Sequence, residues 1–249
     1  MVAETSRRDR HREQTVGEIK QIARRQLTEV GTGGIALRAI AREMGMTAPG
    51  LYRYYASLDD LITALILDCY EEVVTAMEQA RDALPADSLG ARLHAASRAF
   101  RTWSVGHPVE FGLIFGAPLP GYARPPEGAL EQAGARFAGV FRDLFVQIWA
   151  RRPFPLPDES SIDPRLVEQL ERYSARTGGR LPVTAVYLFV ACWVRMYGAV
   201  AMEVFGRIRW ALEEGGALFE TELRQLAELL GITEEYALPP APSSAAGGA

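Results

Sequence analysis

Apolar residues recur every three or four positions through most of the chain, the spacing that lines one face of an α-helix. Val16, Ile19, Ala23, Leu27 and Val30 predict a helix from about Glu13 to Val30, ended by Gly31-Thr32-Gly33-Gly34. Leu37, Ile40, Ala41 and Met44 predict a shorter one, stopped by Gly45. Thr47 then suits an N-cap, with Pro49 tolerated in the first turn of a second short helix. Ser57 caps a long helix to about Ala83 that turns Leu58, Leu61, Ile62, Leu65, Cys69 and Val73 inward. Further helices are expected over 88–106, 108–115, 127–151 and 164–176, separated by a Pro/Gly loop and a three-proline loop. The stretch from Pro182 to about Glu214 is apolar almost all round, and Gly215-Gly216 divides it from a last helix over 217–230. The fold class is all-α.

Two short helices joined by a tight glycine turn form the helix-turn-helix pattern, whose second helix lies in the DNA major groove. Here that helix carries Tyr52, Arg53 and Tyr54, side chains suited to phosphates and base edges. The same pattern also occurs in helical proteins that never meet DNA. The overall net charge of −4 gives DNA no support, but its distribution does. Residues 1–57 hold ten Arg or Lys against six Asp or Glu, a balance of +4, so the remainder carries −8. A basic head on an acidic body is expected when only one end meets phosphates.

The segment IAREMGMTAPGLYRYYASLDDL resembles the operator-binding segment of TetR-family transcriptional regulators through Ile40, Ala41, Gly45, Met46, Thr47, Leu51, Tyr52, Tyr54, Tyr55, Ser57 and Leu61. Two positions depart from that pattern. Ala36 stands where Ser or Thr commonly caps the second helix, and Leu58 where a lysine near the DNA backbone is usual. The resemblance implies that Thr47 and Tyr52 hold phosphates, that Ala48, Pro49, Gly50 and Arg53 lie nearest the bases, and that Tyr54 does either. It also brings Arg38 into the DNA-binding set and turns Tyr55 to the core. Residues 1–12 are expected as a flexible basic arm, which is either a solvated tail or an extension touching the phosphate backbone or minor groove.

Further on, HPVEFGLIFGAPLPGYARP and WVRMYGAVAMEVFG resemble the WHG-type C-terminal domain of the same family. Trp193 and Gly198 match, with Tyr197 at the histidine position. The resemblance implies a small-molecule pocket lined by Phe100, Trp103, Phe111, Phe115, Phe141, Phe145, Trp193, Met196 and Tyr197; each of these also suits an ordinary core. Arg195 and Glu203 are candidate polar partners in that pocket or an ion pair. The all-round apolar helix needs a second partner, most simply its own copy in another subunit. The expected dimer face is Val183, Val186, Tyr187, Val190 and Val194 with Phe219, Leu223, Leu226 and Leu230.

The expected organisation is an arm (1–12), a three-helix helix-turn-helix head (13–57), a helical effector-binding and dimerisation bundle (58–232) and a disordered tail (233–249). Catalysis and cofactors find no support. The three histidines and two cysteines lack metal-ligand spacing, no Gly-rich phosphate loop is followed by lysine, and no nucleophile elbow surrounds Ser104 and His107. Cys69 and Cys192 read as small core residues in a reducing compartment. The N-terminus lacks an apolar signal region, and Val183–Val194 is too short to span a bilayer, so a soluble cytoplasmic protein is expected. The implied function is a homodimeric, ligand-released repressor that binds double-stranded operator DNA and an apolar or amphipathic effector. A helical small-molecule-binding protein with weakened DNA binding, and an activator or co-regulator, are the alternatives.

Overall fold

The computed structural model describes residues 7–30, 35–125 and 128–238. Ten α-helices run through them: α1 (Arg7–Val30), α2 (Leu37–Glu43), α3 (Ala48–Tyr52), α4 (Leu58–Asp82), α5 (Leu89–Gly106), α6 (Pro108–Phe115), α7 (Ala129–Arg151), α8 (Pro164–Arg176), α9 (Val183–Val204) and α10 (Gly216–Leu229). The chain clusters into two units, one of residues 1–73 and 106–137, the other of 74–105 and 138–249. Helices α4 and α7 thus contribute to both, in place of a single division after Ser57.

In the first unit, α1 buries Thr15, Ile19, Ala23 and Leu27, one residue per turn along a single stripe. Its outer side is tied to α4 by Lys20–Asp68 and Arg24–Glu72, each 2.7 Å. The helix begins at Arg7 rather than near Glu13. Residues 7–12 of the expected arm are therefore its opening turns, while residues 1–6 lie outside the described residues, as do Gly31–Gly34. At the start of α4, Ser57 Oγ accepts from the Asp60 amide (3.1 Å) and Asp60 Oδ2 accepts from the Ser57 amide (3.0 Å), a reciprocal capping box. Leu61, Leu65, Cys69 and Val73 of α4 are fully buried and Leu58 only partly so.

In the second unit, α9 stops earlier than the apolar pattern predicts. Gly206 takes the left-handed conformation (φ 65°), and the amides of Gly206 and Arg207 return to the carbonyls of Glu203 and Met202. The chain then turns irregularly until α10. At 22 residues α9 is long and apolar enough to cross a bilayer by length and composition, unlike the run Val183–Val194. Its charged residues are nevertheless paired within the unit: Arg195 with Glu222 of α10 (2.7 Å) and Glu203 with Arg101 of α5 (2.6 Å). Interhelical pairs of this kind suit a helix packed against other helices. The expected tail also starts later than residue 233. Glu235 Oε2 accepts from the Gly90 amide (2.8 Å), Tyr236 bonds Glu220, and Arg98 donates to the Ala237 carbonyl.

Candidate nucleic-acid interface

The turn between α2 and α3 is specified by backbone chemistry. Gly45 (φ 65°) lets the amides of Gly45 and Met46 return to the carbonyls of Arg42 and Ala41, closing α2. A side chain at Gly45 would strain this left-handed backbone. Thr47 Oγ1 accepts from the Gly50 amide at 3.3 Å, so the hydroxyl caps α3 and keeps its own proton for an outside acceptor. Ala36 provides no side-chain cap to α2, as its methyl group requires. Thr32, the alternative upstream cap, falls outside the described residues.

This geometry puts Arg38, Thr47, Pro49, Tyr52 and Arg53 at the surface, with Ala48 and Tyr54 half-buried. Tyr52 is 44% exposed, high for so large a ring. Gly50 departs from the expectation that it faces the bases. It is buried, because the Thr47 hydroxyl and the end of Met46 close over it. Leu51 and Tyr55 pack inward, and burial pushes the Tyr55 phenol up to about 12. One neighbour has no local sequence signal: the Arg12 guanidinium lies over the Tyr54 ring, 5.3 Å from its centre. An open groove of about 1550 Å³ runs between the first turns of α1 and α3, with Arg53 and Tyr54 on its α3 side.

The expected pocket residues fall in both units. Phe111 and Phe115 are in tilted ring contact in the first, where Phe115 also meets Tyr70 and Phe137. In the second, Phe100 contacts Phe141 and Trp193, Trp193 contacts Tyr197, and Phe145 contacts Phe154 and Phe189. Trp103 and Met196 are buried, while Trp193 and Tyr197 keep some exposure. Arg195 and Glu203 are taken up by the ion pairs with Glu222 and Arg101. Glu203 also accepts from the Gly215 amide (3.2 Å), and a Cβ at Gly215 would lie 2.5 Å from its carboxyl carbon. Burial raises the Cys69 thiol to about 12 and the Cys192 thiol to about 11, so neither forms a thiolate near neutrality.

The expected dimer face needs correction. Val186, Phe219, Leu223, Leu226 and Leu230 are buried within the protomer and have no surface to offer a second copy. Tyr187, Val190 and Val183 are half-buried and Val194 is 60% exposed. At helical spacing they continue through Ala201 and Met202 to Phe205, an open stripe along α9.

Comparison with known proteins decides what this head is. Residues 20–65 match the family model described as bacterial regulatory proteins of the tetR family, and residues 93–226 match the tetracyclin repressor-like C-terminal domain model, of the WHG type. HTH-type transcriptional regulator Rv1816 of Mycobacterium tuberculosis is 35% identical over 222 residues, covering 88% of this chain and 93% of the relative. The chain belongs to the TetR family.

HTH-type transcriptional regulator Mb1846 of Mycobacterium bovis matches to the same extent. Among solved structures, regulatory protein SCO4313 superposes with a TM-score of 0.71 at 28% identity, covering 90% of this chain and 100% of that one. The TetR-family regulator PfmR from Thermus thermophilus shares the fold (TM-score 0.52, 15% identity, 85% and 96% covered). This TetR-family chain is therefore a helix-turn-helix transcriptional regulator and not an enzyme.

Proposed function

We propose that the protein is a cytoplasmic homodimeric repressor, released from operator DNA when a small apolar or amphipathic effector binds its body. The observation that carries the reading is the surface of α3. Thr47 at the start of α3 and Tyr52 and Arg53 at its far end are all exposed, on a helix whose entry is locked by Gly45 and whose inner face is closed by Leu51 and Tyr55. Each α3 would enter one major groove, with Thr47 and Tyr52 on phosphates and Arg53 on a base edge, its guanidinium matching guanine.

Dimerisation is supported by the open apolar stripe of α9, from Tyr187 through Val194 to Phe205. Burying its exposed side chains removes apolar surface from water at about 25 cal/mol per Å². The effector reading is supported by the Phe100–Phe141–Trp193–Tyr197 ring cluster, two of whose members, Trp193 and Tyr197, are only half-buried. An effector that parts these rings would favour a conformer with wrongly spaced heads and release DNA by population shift.

A mobility-shift titration on the DNA flanking the protein's own gene tests the reading. A salt-sensitive, sequence-specific complex is expected, and its absence contradicts the repressor function. Light scattering should give a dimer at micromolar concentration, and Val194→Asp should give a monomer.

A further inference from the structure

We propose that the opening turns of α1 form a rigid phosphate track, so that Arg7, Arg8 and Arg12 bind the duplex backbone beside the reading helix without sensing sequence. This extends the reading that α3 meets DNA. The track lies along the groove between α1 and α3, whose lining includes Arg7, Arg8, Arg12, Arg53 and Tyr54. All three track arginines are exposed. They belong to the same continuous helix that buries Ile19, Ala23 and Leu27, so their positions are set before any DNA arrives. Arg12 over the Tyr54 ring holds one end of the track against α3.

Two physical rules point to an anion as the occupant. Cations are unfavourable at the positive end of a helix, yet the only acid in the first turn of α1 is Asp9, amid Arg7, Arg8 and Arg10. Arg8 and Arg12 are also four residues apart, a repulsive spacing on one helix face. Phosphates alongside relieve both. Helicity further selects which part of DNA is touched. A helix with its side chains is about 10–12 Å across and B-DNA's minor groove about 6 Å wide, so residues 7–12 cannot enter it as an extended arm does. Backbone contact remains, and it carries no base information.

The test is equilibrium binding of the full-length protein to a selected operator duplex and to an unrelated duplex between 50 and 200 mM salt. Two variants are compared with wild type: Arg7→Gln/Arg8→Gln/Arg12→Gln, and the same three positions changed to Lys. Loss of three contacts should reduce the slope of log K against log salt by about 2.7 per protomer, removing about 40-fold of salt sensitivity over that range. The Lys variant should keep the slope, and the operator-to-unrelated affinity ratio should be unchanged in both. An unchanged slope in the Gln variant overturns the track, as does a collapsed ratio, which would mean base reading. Wild type showing no preference for any selected duplex would instead sink the repressor reading, while the slope on unrelated DNA still decides the track.

Discussion

The reading head and the α5–α9–α10 region of the second unit use similar side chains to opposite ends. In the head, Tyr52 and Arg53 stand at the surface, placed by a glycine turn and a threonine cap. In the second unit, Trp193 and Tyr197 lie in ring contact, and Arg101 and Arg98 form two-pronged pairs with Glu203 and Glu220 at 2.6–2.8 Å. On the proposed function, an aromatic or arginine thus serves recognition where the backbone forces it outward, and structure where partners close over it. Substitutions in the second unit should change stability first, and those in the head should change DNA affinity first.

The largest separation is expected from Phe100→Ala. Phe100 is fully buried against Phe141 and Trp193, and the truncation should cost about 3–5 kcal/mol in urea unfolding. A loss below about 1 kcal/mol would mean that these rings are not core.

His94 gives a pH-dependent version of the same contrast. It is 2% exposed, set edge-on to Tyr236, and its ring is held down to about 4 by burial and then by the Arg98 charge, from an ordinary 6.5. The unfolded chain takes up a proton near pH 6.5 while the folded one resists until about 4. Stability should therefore be complete above pH 6.5 and fall as pH drops toward 4, by roughly 3 kcal/mol in all. His94→Leu should flatten that part of the curve; an unchanged curve would show that the acid sensitivity comes from other groups.

Glu203→Ala should follow, at about 2–3 kcal/mol, because it strands the Arg101 guanidinium and the Gly215 amide together. Calorimetry should show the loss while the folded variant still binds DNA. The smallest effect is expected in the head. Thr47→Ala removes the α3 cap, worth about 1 kcal/mol locally, with little change in overall melting but a measurable loss of DNA affinity. A Thr47→Ala protein that melts early and binds DNA normally would reverse the contrast.

How much of this could be read beforehand depends on how far apart the determinants lie. The α2–α3 turn rests on Gly45, Thr47 and Pro49, all within five residues, and was fully legible. So were Pro108–Phe115 and Pro164–Arg176, bounded by prolines at their starts. The end of α9 carried the same kind of glycine signal in Phe205-Gly206, but the apolar residues beyond it obscured the stop. The packing of Tyr236 on His94 joins positions 142 apart, so no local pattern announces it. Nor does spacing tell that Glu203 faces Arg101 rather than a ligand, or that Val186 and Leu223 face their own unit rather than a second copy. The helicity of residues 7–12 was hidden because arginines suit a solvated arm and a helix equally well.

The central claim is that α3 reads base sequence through Arg53. It is tested most directly by anisotropy titrations of wild type and Arg53→Ala against an operator selected from random duplexes and against its scrambled form. A well-placed guanidinium on a base edge is worth about 1–3 kcal/mol of discrimination. The operator-to-scramble ratio should therefore fall roughly 5- to 150-fold in Arg53→Ala, while affinity for the scramble changes far less. A ratio unchanged by the substitution would contradict the placement of α3 in the groove.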